Sequence, residues 1–370
     1  MLKNTSGIHL ILKIGPNIAQ PAPYDVTTAL TRLEVTDNAD ERDGFQMTFT
    51  LNKVKSSDYN LVQDGTLDPK SRVKIGVRLN GRTEMLIDGI ITQHQFAPSN
   101  EPGTFTLTVT GEDISLKFDL EEKNLSFRNM SDSAIVQQVL GRYADLGLKN
   151  EIDDTDDTPH ENQRVTRQAS TDLAFLQMLA KRNGFVFYLD PDTFDSSFVH
   201  WGEEDRKHVS QHALTMNMGS ATNVTSLSFS HNALTPVDVK GSYIDPGNKQ
   251  INAASSSSSN LQPLATRTTP MMRTVLLRNS GQRTSRQASL AGDALKIDNS
   301  RSVTGEGQLD TERYGYILRA GGLVGVRGVG ASYNGNYYVR RVTHTIERGS
   351  FTQSFSLSRE GVGAKEKKVR

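Results

Sequence analysis

Two stretches near opposite ends of the sequence carry the same short motifs in the same order, and this limits the fold more than any other feature. Ile75-Gly76-Val77-Arg78 matches Val324-Gly325-Val326-Arg327, and Asn80-Gly81 is echoed by Asn334-Gly335. Gly89-Ile90-Ile91-Thr92-Gln93-His94 parallels Val339-Arg340-Arg341-Val342-Thr343-His344, and Gly103-Thr104-Phe105-Thr106 parallels Gly349-Ser350-Phe351-Thr352. Motifs repeated in order at similar spacing mark an internal duplication. Both stretches lie where apolar and polar residues alternate, as in Phe45 to Leu51 and Val73 to Leu79, which is the period of half-buried strands. Asn80-Gly81 suits a two-residue hairpin turn, so its flanking strands should be antiparallel neighbours.

Between the two β regions the period turns helical. Ser131-Asp132 offers a cap for a helix carrying Ile135, Val136, Val139, Leu140 and Tyr143, stopped at Gly147; a second helix opens at Ser170-Thr171-Asp172 and ends at Asn183-Gly184. Its buried face should be Leu173, Phe175, Leu176, Leu179 and Ala180, with Gly184 in the left-handed position past its end. Phe185 to Leu189 and Phe198 to Trp201 read as a strand pair, and Thr284 to Ile297 as a short helix. The fold class expected is α+β, mainly antiparallel β: two duplicated tube-like β-barrel domains with an inserted helical α/β segment. The expected division is a first barrel over 1–119, the α/β segment over 120–221, a second barrel over 222–363 with a polar insertion at 247–301, and a basic tail at 364–370. Residues 248–270, including Ser255 to Ser259, are too polar to form a core, so this stretch reads as a mobile loop or one ordered by a partner.

Lys plus Arg and Asp plus Glu number 42 each, which argues against phosphate-driven nucleic-acid recognition. No run is long and apolar enough for a membrane helix and no signal-peptide pattern opens the chain, so cytoplasmic assembly without membrane insertion is expected. The chain has no cysteine, which excludes disulfides, thiol nucleophiles and Cys-ligated zinc. The hydrophobic fraction is 35% and the mean hydropathy −0.49, so either much surface is solvated or part of the chain packs only in an assembly.

Gln168-Ala169-Ser170-Thr171-Asp172-Leu173-Ala174-Phe175-Leu176, continuing through Leu179-Ala180-Lys181-Arg182-Asn183-Gly184-Phe185-Val186-Phe187-Tyr188, resembles the phage late control D and baseplate hub family, shared with the hub portion of type VI secretion spike proteins. Gly305-Glu306-Gly307, Leu318-Arg319-Ala320-Gly321-Gly322, Tyr333 to Val339, Val342 to Ile346 and Leu357-Ser358-Arg359 resemble the same family. The resemblance implies a homotrimer of duplicated tube-like domains, acting as an adaptor between a hexameric inner tube protein and a trimeric spike, with other baseplate proteins around it. The sequence stops near Arg370 before any spike-like repeat, so a separate spike protein is expected. A phage tail and a phage-derived injection particle both fit.

Chemistry is sparse. The run Gly321 to Gly330 lacks the following helix of a dinucleotide loop and reads as strand plus turn. The cluster Glu151, Asp153, Asp154, Asp156 and Asp157 with His160 and Glu161 lacks the glycine and spaced Glu of a calcium loop. His94 and His344 fall at matching repeat positions and suggest a shared packing role, and Trp201 a core or interface anchor. With no assembled nucleophile and base, no catalytic, cofactor or metal residue is assigned. A wall-degrading hydrolase and a receptor- or carbohydrate-binding tail module remain as alternatives. The candidate assembly residues are Arg78 and Arg327, at matching repeat positions, and Lys365, Lys367, Lys368 and Arg370 of the tail. The arginines suit the channel wall, a contact between adjacent barrels or a solvated outer face, and the tail either a frayed end or an arm reaching an acidic surface of the spike.

Overall fold

The computed structural model describes residues 7–16, 18–51, 59–98, 105–162, 164–206, 211–244, 249–254, 261–278, 285–366 and 369. The first run of strands is β1 (His9–Gly15), β2 (Leu30–Asn38), β3 (Gly44–Leu51), β4 (Arg72–Leu79), β5 (Arg82–Ala97) and β6 (Phe105–Asp113). Alternation works as expected: Phe45, Met47, Phe49 and Leu51 are buried on β3 while Gln46, Thr48 and Thr50 are not. Asn80 and Gly81 both take positive φ, 50° and 80°, and close the β4–β5 hairpin.

The middle segment holds β7 (Glu122–Phe127), α1 (Asp132–Leu140), β8 (Leu148–Ile152), β9 (Thr166–Thr171), α2 (Asp172–Asn183), β10 (Val186–Thr193) and β11 (Ser196–Gly202). Helix α2 begins where the Thr171 hydroxyl accepts from the Ala174 amide and ends at Gly184, whose φ is 72°. Leu173, Phe175, Leu176, Leu179 and Ala180 are all buried, and the Trp201 indole donates to the Leu176 carbonyl at 3.2 Å. Trp201 is thus a core anchor.

The second run is β12 (Gln211–Thr215), β13 (Val224–His231), β15 (Val303–Asp310), β16 (Leu323–Arg327), β17 (Gly335–Glu347) and β18 (Ser350–Arg359). Between β13 and β15 lie β14 (Val237–Ile244) and α3 (Ser285–Asp298), the latter close to the helix expected there. The glycine run is a strand and turns, with positive φ at Gly321, Gly328 and Gly330.

The two runs are hydrogen-bonded in the same order. The first reads β2-β3-β6-β5-β4-β1 and the second β13-β15-β18-β17-β16-β12, and each position in one holds the corresponding strand of the other. Irregularities match as well. Thr31 bulges out of β2 and donates to the Thr48 carbonyl at 2.9 Å, while Thr225 bulges out of β13 and donates to the Gln308 carbonyl at 2.8 Å. A second matched pair of bulges is Thr92 on β5 and Arg340 on β17. The outer strands differ, since β1 is antiparallel to β4 and β12 parallel to β16.

Three expectations change. The main sheet does not close into barrels: it is one open path from β13 to the two-residue strand Gln20–Pro21 beside β1, because β17 joins the runs by pairing with β2. Part of the polar insertion is integral. Leu264 and Ala265 are buried against Ala39, Leu323 and Tyr338, and the strand Ala265–Thr268 pairs with Gly361–Ala364; Ser255 to Ser259 lie outside the described residues. Near the tail, Asn336 donates to Glu366 at 3.0 Å and Val369 lies against Gly325, where a Cβ would sit 2.5 Å from it, so this part of the tail is docked.

Candidate assembly interface

Counted from the matched bulges, Ile91 corresponds to Val339, so Phe96 stands with His344 and His94 with Val342. The paired strands follow: Arg72 corresponds to Leu323 and Gly76 to Arg327. The sequence pairing of Arg78 with Arg327 and of His94 with His344 is therefore two residues out of register. A slip of two keeps every side chain on its own face, so alternation gives no warning of it.

The candidate residues do not converge. Arg78 is exposed near the end of β4, opposite His9 and Thr83, with no ion pair among the described residues. Arg327 is half-buried and its Nε and Nη2 lie 3.3 and 3.1 Å from the Thr215 hydroxyl of β12, an internal contact. Lys365 is exposed, while Lys367, Lys368 and Arg370 lie outside the described residues. Burial pushes the His344 imidazole down to about 3, helped by the Arg319 charge, and both ring nitrogens lack hydrogen-bond partners. His94 is a third exposed, with Nδ1 3.9 Å from Asp68.

Several charged clusters escape sequence reasoning because their members are far apart in the chain. Asp172, buried at the start of α2, accepts from Lys123 at 2.6 Å, Arg142 at 2.8 Å, Tyr143 at 2.7 Å and Gln168 at 2.7 Å. Burial alone would raise its pKa, but these donors hold the carboxyl below its usual range. Glu204 accepts from Arg206 at 2.8 Å and pairs with Arg301, while Arg206 reaches Glu360 at 3.3 Å and the Gln262 carbonyl at 3.1 Å. This network ties the middle segment, the insertion and the second run together. Asp37, Asp43 and Asp113 form a buried acidic group, with Asp37 pushed up to about 6 by burial and the nearby Asp190. Each has a structural partner: Asp37 accepts from the Ala320 amide at 3.0 Å, Asp43 from Asn38 at 2.7 Å and Asp113 from Ser115 at 2.7 Å.

Of the loop carboxylates, Asp153 accepts from the Glu203 amide at 2.9 Å. Among the described residues no three His, Asp or Glu side chains group as metal ligands. A groove of about 680 Å³ between α2 and α3 is lined by Asp132, Lys181, Arg182 and Leu290, but Asp132 already accepts from Arg182 at 2.6 Å and Asn183 at 2.8 Å. No helix among the described residues is long and apolar enough to cross a membrane.

What remains open is strand edge. β13 pairs on one side only, with β15, and past Ile91 the only strand running beside β5 among the described residues is β6. The corresponding edges at the middle of the sheet, β17 and β2, are paired with each other from Arg341↔Asn38 to Glu347↔Arg32.

This architecture is that of phage tail proteins. The chain is similar to the tail protein from Neisseria meningitidis MC58 at 13% identity, covering 96% of this chain and 98% of that one with a TM-score of 0.66. A 43 kDa tail protein of prophage MuSo2 from Shewanella oneidensis gives 14%, 95%, 98% and 0.63. The E. coli c3393 protein, described as a component of the type VI secretion system with structural similarity to T4 tail proteins, gives 14%, 97%, 78% and 0.57. At these identities the likeness establishes the fold. The model of the Alg8 N-terminal domain matches residues 24–348, and the chain belongs to that family. No curated protein sequence matches it.

Proposed function

We propose that the chain is a structural baseplate hub of a contractile tail or injection system: a trimeric adaptor that joins a hexameric inner tube to a trimeric spike and carries out no covalent chemistry. The observation that carries this reading is the repeated strand order with its matched bulges at Thr31 and Thr225 and at Thr92 and Arg340. On this reading the runs are two copies of one tube-like domain, within the division 1–119, 120–221 and 222–363. Three chains around an axis then present six like units to the tube while keeping threefold symmetry for the spike.

The fold likeness to tail and type VI secretion proteins supports the reading. Asp37, Asp43 and Asp113 accept from backbone amides and Glu204 pairs with Arg206, which fits structural roles for these carboxylates. Arg78 and Lys365, both exposed, remain candidates for contacts with neighbouring particle proteins. Native mass spectrometry of the full chain, alone and mixed with its inner tube and spike proteins, tests the proposal. A trimer that captures both is expected; a monomer in every mixture refutes it.

A further inference from the structure

We propose that the small sheet inserted between β13 and β15 is a docking face for an anionic lipid surface, reached by peripheral contact and without a spanning segment. The proposal goes beyond the hub reading and does not depend on it. β14 is the middle strand of this sheet: its first half pairs with Arg273–Leu276 and its second half with Ile251–Ala254. Val237 and Val239 are buried, and α3 packs against the strand that carries them. Alternation turns Lys240, Ser242 and Ile244 to the other side, and all three are exposed. Their cross-strand neighbours Leu276, Ala253 and Ile251 share that side and are exposed as well. One side of the sheet is therefore open.

Two properties of this open side select lipid as the occupant. It is apolar: Ile251 is 74% exposed, and Met272 and Leu276 are each 69% exposed. Leu234 and Met271 extend the same region, with Arg273 Nη1 3.5 Å from the Leu234 carbonyl. Exposed apolar residues gathered in this way mark a protein or membrane contact. The charge around them also has one sign. Acidic and basic residues balance over the whole chain, yet 246–292 contains Lys249, Arg267, Arg273, Arg278, Arg283 and Arg286 and no Asp or Glu. Lys240, opposite Leu276, adds a further exposed cation, while Asp238 on the same strand lies 3.9 Å from Lys296. Anionic headgroups answer the cations, and the boundary of the acyl chains receives the aliphatic side chains. A protein contact draws its register from complementary patterns of both charges, whereas a fluid anionic surface needs no register. The paired positions on the open side carry no aromatic ring, so nucleic-acid bases would find no stacking platform there.

Flotation of the full-length protein with vesicles tests the proposal, using phosphatidylcholine alone and an equal mixture of phosphatidylcholine and phosphatidylglycerol. At about 0.1 M salt the protein should rise with the mixed vesicles and stay behind with the neutral ones. Raising the salt to about 1 M, where screening acts within roughly 3 Å, should release most of it. Met272→Ser with Leu276→Ser removes apolar contact, and Lys240→Gln with Arg273→Gln removes two charges; each pair should weaken binding at least about tenfold. All four side chains are exposed, so thermal melts should not change, and Leu120→Ser, at an exposed leucine outside this sheet, should bind as wild type does. No flotation with either vesicle, or equal flotation with both, overturns the proposal, as does binding that survives both double variants. Wild type that ignores vesicles, together with a Met272→Ser, Leu276→Ser variant that loses capture by the inner tube or spike protein, makes the occupant a protein. Retention of a fluorescent single-stranded oligonucleotide in place of vesicles makes it a nucleic acid, and either result overturns the lipid assignment.

Discussion

His344 offers a test of the packed sheet through proton binding. Its ring is fully buried on β17 with neither nitrogen partnered, and burial pushes its pKa down to about 3, against about 6.5 for a solvated imidazole. The unfolded chain therefore takes up a proton as pH falls through 6.5 while the folded chain does not, so stability is lost progressively below that value until about pH 3. At pH 5 the difference is about 1.5 pH units multiplied by 1.36 kcal/mol, roughly 2 kcal/mol, and at pH 7.5 it is close to zero. Asp37 acts in the opposite sense: its carboxyl, raised to about 6, binds a proton in the folded chain first and adds stability as pH falls toward 4. The difference between wild type and His344→Phe, the residue found at the corresponding place on β5, removes that contribution. Guanidinium denaturation of both proteins, followed by circular dichroism of the sheet at pH 7.5 and 5.0, should show the variant gaining about 2 kcal/mol relative to wild type at the lower pH. An equal difference at both pH values would mean that the ring is solvated or paired, and would refute the burial argument.

Leu176→Ala and Leu179→Ala, both at fully buried positions of α2, should each cost about 2–5 kcal/mol in the same denaturation assay. Glu204→Gln leaves the buried Arg206 and Arg301 without their shared carboxylate and should destabilise by about 3–5 kcal/mol, seen as a lowered melting temperature. Asp172→Asn should melt below wild type at neutral pH, and because the wild-type carboxyl is held below its usual range, the gap should close as pH drops through the ordinary carboxylate range and below. Gly184→Val forces a branched side chain into φ 72° with the Ala294 Cα 3.2 Å from its Cβ, and should lower the melting temperature more than Gly141→Val, where a Cβ meets nothing within 4 Å.

Helix α2 was readable from sequence because its signals are local: a Thr cap, apolar residues at helical spacing and a terminal glycine all lie within a few residues. The duplication was readable as motifs, yet its register was not. Gly-Val-Arg and a histidine late in the long strand recur near the right places, and the bulges at Thr92 and Arg340, each of which lets two residues face one partner, carry no marker in composition. The insertion misled by its average polarity, since two apolar residues, Leu264 and Ala265, dock it against Tyr338 and Leu323. The Asp172 and Glu204 networks were hidden for a different reason: Lys123, Arg142, Arg301 and Glu360 meet them only through the tertiary fold. The open edges needed the structure too, because a strand's second neighbour is a property of the sheet.

Strand β17 serves both runs, holding β16 with its first residues and β2 with its last while β18 lies along its other side. Among the described residues the two runs therefore belong to one continuous sheet, joined through a shared strand. Tension along this strand is resisted by many hydrogen bonds loaded in parallel, the stiff direction of a sheet, whereas a tether would stretch first. If the chain is the hub proposed above, such a piece acts as a rigid coupling: thrust received by one half reaches the other without lag or lost travel.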